Sequence, residues 1–128
     1  IVLTLAENLA LETQAIVEQD SALLEAINHG DRLEAMQARL ADAQRTGQTV
    51  VDSYDINDVH VTLLVPFGRQ DGLSLGMIAT GTRITEVRDS SGTVVSSTTA
   101  PFETMWAMRR ATGARWLTIA ELPVPDNA

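Results

Sequence analysis

His29 and His60 are the only histidines in this chain, which has no cysteine, so chemistry near neutral pH has few residues to draw on. Imidazole titrates closest to neutrality, which makes His60 the best single candidate for a general base. A general base also needs an orienting partner within hydrogen-bond reach. No spacing here assures one: Asp55 lies five residues away, across an expected bend. His60 alternates with Val59, Val61 and Val65, and its bland reading is a solvent-facing strand residue. His29 falls at an expected helix end, where a cation complements the C-terminal dipole. Two histidines without cysteine lack the usual ligand sets for a transition metal, so neither a metal site nor a cofactor is expected.

The remaining chemistry-bearing groups read as structural. Glu103 and Arg109 share one parity of the third strand, and Arg83 is expected to face them across the sheet as a solvated ion-pair arrangement. Met77, Met105, Met108 and Trp106 recur in strands, where apolar residues at period two form a core; on a surface they would suit a hydrophobic partner. There is no G-x-S-x-G, Walker loop, H-E-x-x-H or dinucleotide glycine fingerprint. No catalytic residue is assigned.

The elements that must position these groups follow from periodicity. Leu5, Leu9, Ile16, Leu23 and Ile27 recur at helical spacing, with glutamates on other faces, and predict one amphipathic helix from Thr4 to Asn28 opened by a Thr4/Glu7 capping box. Gly30 can end that helix and Asp31 can cap a second, whose stripe is Leu33, Met36 and Leu40 and which Gly47 closes. Beyond Gly47 the period falls to two, with Val59, Val61, Leu63 and Val65 expected on one face. Turn clusters at 68–72 and 89–92 separate this strand from Leu73–Arg88 and Thr93–Arg110. A parity change in the second run predicts a bulge or bend near Gly76 or Gly81. Pro101 predicts an edge or bulge in the third. A turn at 111–114 leads to a last strand, Arg115–Leu122. Trp116, Leu117 and Ile119 are expected there in a central position. The fold class is thus α+β, two N-terminal helices packed on a curved, mainly antiparallel meander. One domain spans 1–122 and a tail spans 123–128.

Composition narrows the partners. At 128 residues the chain can bury a core without metal or disulfide. A net charge of -8 excludes nucleic acid and anionic lipid surfaces, which need clustered cations. The start at Ile1-Val2-Leu3, without Met, reads either as the first turn of a core helix or as the end of an apolar anchor. The second reading predicts an apolar run of roughly 20 residues upstream, the length a bilayer needs. Ser90, Ser91, Ser96, Ser97, Thr98 and Thr99 make a hydroxyl-rich hairpin of the kind common in exported bacterial proteins.

The helix–Gly30-Asp31–helix junction, the meander and the closing Gly113-Ala114-Arg115-Trp116-Leu117-Thr118-Ile119-Ala120 hairpin resemble the cone-shaped superfamily of nuclear transport factor 2 and the SnoaL-like proteins. Within it the helix pair, the Tyr54–Val65 stretch and the terminal Trp strand look most like the membrane-tethered, non-catalytic branch, which includes domains of plastid-division proteins and of the mitochondrial import motor. The resemblance implies a cystatin-like cone with a pocket between helices and concave sheet. Pocket candidates are Tyr54, Asp55, His60, Glu103 and Trp106. It further implies a protein or peptide partner or a small apolar ligand, an extracytoplasmic location behind a membrane tether, and a homodimer through the sheet. The alternative is an acid-base enzyme with its site in the cone.

Overall fold

A computed structural model describes residues 2–66, 72–111 and 115–124 of the chain. Three helices, α1 (Val2–Glu18), α2 (Ser21–Ile27) and α3 (Gly30–Thr46), precede four strands, β1 (Thr49–Pro66), β2 (Gly72–Arg88), β3 (Val94–Ala111) and β4 (Leu117–Leu122). The strands form one antiparallel sheet in the order β1-β2-β3-β4. The architecture is α+β, helices first and packed on an antiparallel meander.

The expected single helix Thr4–Asn28 is two. Gln19 takes a φ of 55°, and the Asp20 carboxylate accepts a hydrogen bond from the Leu23 N–H at 3.1 Å, capping α2. Apolar periodicity runs through the break because Ile16 of α1 and Leu24 of α2 bury into one cluster with Met36, Leu40 and Val51. Only the Asp20 cap betrays the division. Since α1 already begins at Val2, Thr4 and Glu7 lie inside it and do not form the expected capping box. Gly30 does take a left-handed φ of 59°, but as the first residue of α3, and Asp31 lies in that helix's first turn instead of at its cap. Gly47 closes α3 at φ 75°, its N–H bonded to the Ala43 carbonyl.

The expected irregularity near Gly76 and Gly81 is present, with the extra residues on the facing strand. The β1–β2 register slips between Ile56 and Asp58, opposite Gly81, and between Val61 and Leu63, opposite Gly76. A Cβ at Gly81 would strike the Asp55 carbonyl, and one at Gly76 would stand 2.8 Å from the Thr62 methyl. The glycines therefore give β1 room to bulge over β2. Val59 and Val61 share a face in the segment between the two slips, yet Val59 packs on the core while Val61 is exposed.

In β3, Phe102, Trp106 and Met108 are buried on one face as period two predicts, joined by Thr104. Pro101 pairs with Thr82 without interrupting the strand, in the part of β3 that β4, paired only from Met105 to Arg109, does not reach. It is an edge proline. The Asp89–Gly92 turn forms as expected, with the Asp89 carboxylate accepting from the Ser91 and Thr93 N–H groups. β4 corrects the sequence reading. It is the outer strand and begins at Leu117, so Trp116 precedes it, and its buried residue is Thr118, with Leu117 and Ile119 half-buried. Most of the 68–72 turn, the core of the 111–114 turn and the 125–128 part of the tail lie outside the described residues.

One core cluster fills the space between α1 and the sheet: Leu5 and Leu9 against Leu75, Met77, Ala79, Phe102, Trp106 and Met108. Tyr54, Phe102 and Trp106 meet edge to face in all three pairings, with centroids 5.5, 5.6 and 5.7 Å apart. Such pairs add about 0.5–1.5 kcal/mol each beyond area burial.

Because the bulge leaves no room beside Gly81, Gly81→Ala is expected to destabilise the protein by about 1–3 kcal/mol through overpacking. Urea denaturation followed by tryptophan fluorescence measures this; an unchanged midpoint would show that β1 does not bulge there.

Candidate functional site

The five pocket candidates divide between the two faces of the sheet. Tyr54 and Trp106 lie on the inner face, within the aromatic trio. Asp55, His60 and Glu103 are exposed. His60 stands with its Nδ1 3.6 Å from the Asp58 carboxylate, beyond hydrogen-bond length, with both side chains open to solvent. The sequence reading overlooked Asp58, whose spacing of two from His60 puts both on one strand face. Arg83 turns inward to Glu121 at 3.5 Å and not toward Glu103, and Glu86 pairs with Arg88 at 2.8 Å. No enclosed acid-base pair therefore forms from the expected residues. His29 is exposed between α2 and α3.

The inner face instead gathers charges that the apolar periodicity did not single out. The buried Arg32 guanidinium of α3 donates from Nε and Nη2 to both carboxylate oxygens of the buried Glu12 of α1, at 2.8 and 2.6 Å, and from Nη1 to Glu121 of β4 at 3.1 Å. Such a bidentate arrangement is the strong form of the ion pair. Nearby, Asp52 of β1 accepts from Arg39 at 2.9 Å and from the Thr85 hydroxyl at 2.6 Å. A signal for these groups existed: Glu12 falls three residues after Leu9 and four before Ile16, and Arg32 four before Met36, so both charges interrupt apolar stripes.

The electrostatics keep Arg32 and Asp52 charged and Tyr54 neutral. Burial works against the Arg32 charge, but the Glu12 carboxylate outweighs it, and the guanidinium pKa rises above its ordinary value. Burial likewise pushes Asp52 up, yet the Thr85 and Arg39 hydrogen bonds dominate and its pKa falls. Burial raises Tyr54, with Arg32 opposing. A cation, an anion and a neutral phenol result, none of them moved toward neutrality as a general acid or base requires. Among the described residues no three His, Asp or Glu side chains converge as a metal site.

Beside this cluster lies an apolar groove of about 390 Å³, walled by Ala6, Leu9, Ala10 and Thr13 of α1 and by Ser53, Tyr54 and Ile56 of β1. The small Ala6 and Ala10 side chains leave the hollow between helix and strand. At one end the Thr13 hydroxyl donates to the Asp52 carbonyl at 2.6 Å, tying α1 to β1. Tyr54 joins groove to interior, with one side lining the hollow and its ring in the aromatic trio. A second hollow of about 400 Å³, between Val17, Gln44, Gly47, Arg88 and Asp89, is polar, but its charged groups are already engaged: Arg88 by Glu86, and Asp89 by its own turn. The α1–β1 groove is the better binding surface.

Two tests follow from the ionic cluster. Arg32→Met leaves Glu12 buried without a partner and is expected to cost about 3–5 kcal/mol, whereas Glu12→Leu combined with Arg32→Met should recover most of that loss. Thermal melts of the single and double variants decide it; a double variant as unstable as the single would assign the cluster a role beyond charge pairing. For Asp52 the folded pKa lies below the ordinary 3.8, so its contribution is complete above that value and is lost as pH falls through the folded pKa. The stability gap between wild type and Asp52→Asn should therefore narrow below about pH 4, and a gap constant with pH would show that Asp52 is not held ionised.

No family model matches the chain, and no curated protein does. Among solved structures it is similar to the intermembrane space region of the chloroplast protein ARC6, with a TM-score of 0.62 and 12% identity over 92% of this chain and 88% of that one. At that identity the likeness is one of fold.

Proposed function

We propose that this chain is a non-catalytic binding domain that engages a protein or peptide partner through the groove between α1 and β1. The observation that carries the reading is the contrast between the two halves of the site. The interior charges are paired with one another, while the adjoining groove is apolar, accessible and bordered by the outer strand β1. Side chains of a partner could fill the space over Ala6 and Ala10, where burial of apolar surface contributes roughly 25 cal/mol per Å². The order and spacing of the sequence motifs support a place in the non-catalytic, membrane-tethered branch of the transport-factor-like superfamily. A location outside the cytoplasm draws further support from the fold neighbour, itself an intermembrane space region. Among the described residues no helix is long and apolar enough to cross a membrane.

A small apolar ligand is the second reading, favoured by the groove volume of about 390 Å³, which lies within the range of small-molecule sites.

A peptide library selected against the wild-type domain, with Ala10→Arg as the counter-selection, tests the assignment. Peptides that bind the wild type and lose at least about tenfold affinity for Ala10→Arg are expected, a change of about 1.4 kcal/mol. Peptides that bind both proteins equally would remove the groove from consideration. Turnover of small ketones, epoxides or lactones that Tyr54→Phe abolishes, in a protein that still melts cooperatively, would overturn the non-catalytic assignment.

A further inference from the structure

The far end of the sheet carries a second surface, independent of the groove. Among the described residues no strand lies on the side of β3 away from β2 between Val94 and Thr104, since β4 pairs only with Met105–Arg109. Every residue from Ser90 to Pro101 is exposed; only the turn residues Ser90 and Gly92 border the hollow beside α1 and α3. An open edge presents unpaired N–H and C=O groups, and proteins usually blunt such edges with charges. Here none is present: from Ser90 to Phe102 there is no charged residue, in a chain of net charge -8.

The edge also has defined ends. The β2–β3 register slips at Val95, where Val87 pairs with Ser96 and Arg88 with Val94. At the other end Pro101 has no N–H to offer. Between them lies the regular window Ser96-Ser97-Thr98-Thr99-Ala100, centred on Thr98. We infer that this window is a self-association edge at which two copies of the chain pair antiparallel about a two-fold axis through Thr98, joining their sheets.

The chemistry is self-complementary. The axis stands normal to the sheet and places Thr98 opposite its own copy and Ser97 opposite Thr99 of the second copy, hydroxyl against hydroxyl, a favourable cross-strand pairing. Val95, 53% exposed, comes opposite Pro101 of the second copy and gains an apolar neighbour. Elsewhere two copies of an acidic chain repel each other, and this uncharged arm is where they approach at least electrostatic cost. The contact is isologous and closes at two copies. Its short ladder puts it among weak, concentration-dependent interfaces.

Sedimentation velocity over a series reaching hundreds of micromolar should show a monomer–dimer equilibrium for the wild type and monomer alone for Thr98→Arg and for Ser96→Lys, each checked for a native melt. The absence of cysteine allows a second measurement. Under mild oxidation Thr98→Cys should form a covalent dimer at least about tenfold faster than Ala41→Cys on the exposed side of α3, as the higher local concentration of thiols across the axis demands. A wild type that stays monomeric throughout, a dimer that survives Thr98→Arg, or equal cross-linking at both positions would overturn the inference.

Discussion

The buried Arg32 guanidinium is the constraint on which the helix–sheet arrangement depends. It reaches Glu12 on α1 and Glu121 on β4 from its own place on α3, so three elements distant in sequence meet at one planar cation. A guanidinium with 7% exposure must be met by carboxylates, because an unpaired charge in such a place would cost several kcal/mol. The relative placement of α1, α3 and β4 is thereby restricted to positions that satisfy its donor fork. Apolar packing of Met36 and Leu40 alone would tolerate a small rotation of α3. The bidentate bond does not.

A second polar joint holds the short β4 strand in place. Asn8, fully buried on α1, donates to the Trp116 carbonyl at 3.1 Å and the Thr118 hydroxyl at 3.2 Å, and its carbonyl oxygen accepts from Arg115 at 2.6 and 3.1 Å. The His29 N–H bonds to the Thr118 carbonyl, and Asn28 bridges to the same residue. Thr118 is therefore where the helices, rather than the sheet alone, fix β4. This explains why an outer strand of six residues is tied in by polar contacts while Leu117 and Ile119 stay half-buried. Arg110 lies over the Trp116 ring at 5.1 Å, giving this half-buried side chain, which also packs against the core, a cationic neighbour.

These joints also decide what the interior can do. The space that a cone would leave for a ligand is filled by Trp106, Phe102 and Tyr54 and by the ionic cluster, so the accessible apolar volume is displaced to the α1–β1 border. The groove is consequently lined by side chains whose other sides are structural: Leu9 and Tyr54 face it and also pack on the core. A rigid backing of this kind favours recognition with little reorganisation.

The sequence by itself determined the local elements, because these depend on neighbours within a few residues. Phe102, Trp106 and Met108 mark a strand face by period two, Gly47 ends α3 by its left-handed φ, Asp89–Gly92 closes a hairpin, and Gly76 and Gly81 announce the bulges. The candidate site was only partly legible: Tyr54 and Trp106 were placed on the inner face, whereas Asp55, His60 and Glu103 were expected beside them. Period two by itself sets Asp55 opposite to Tyr54 and Glu103 opposite to Trp106, while the parity of His60 depends on the slip between Ile56 and Asp58, and no local pattern says which strand takes the extra residue. Tertiary structure alone decided which charges enter the core and that β4 is an edge. The partners of Arg32 lie 20 and 89 positions away, so its burial became favourable only once folding brought Glu12 and Glu121 to it.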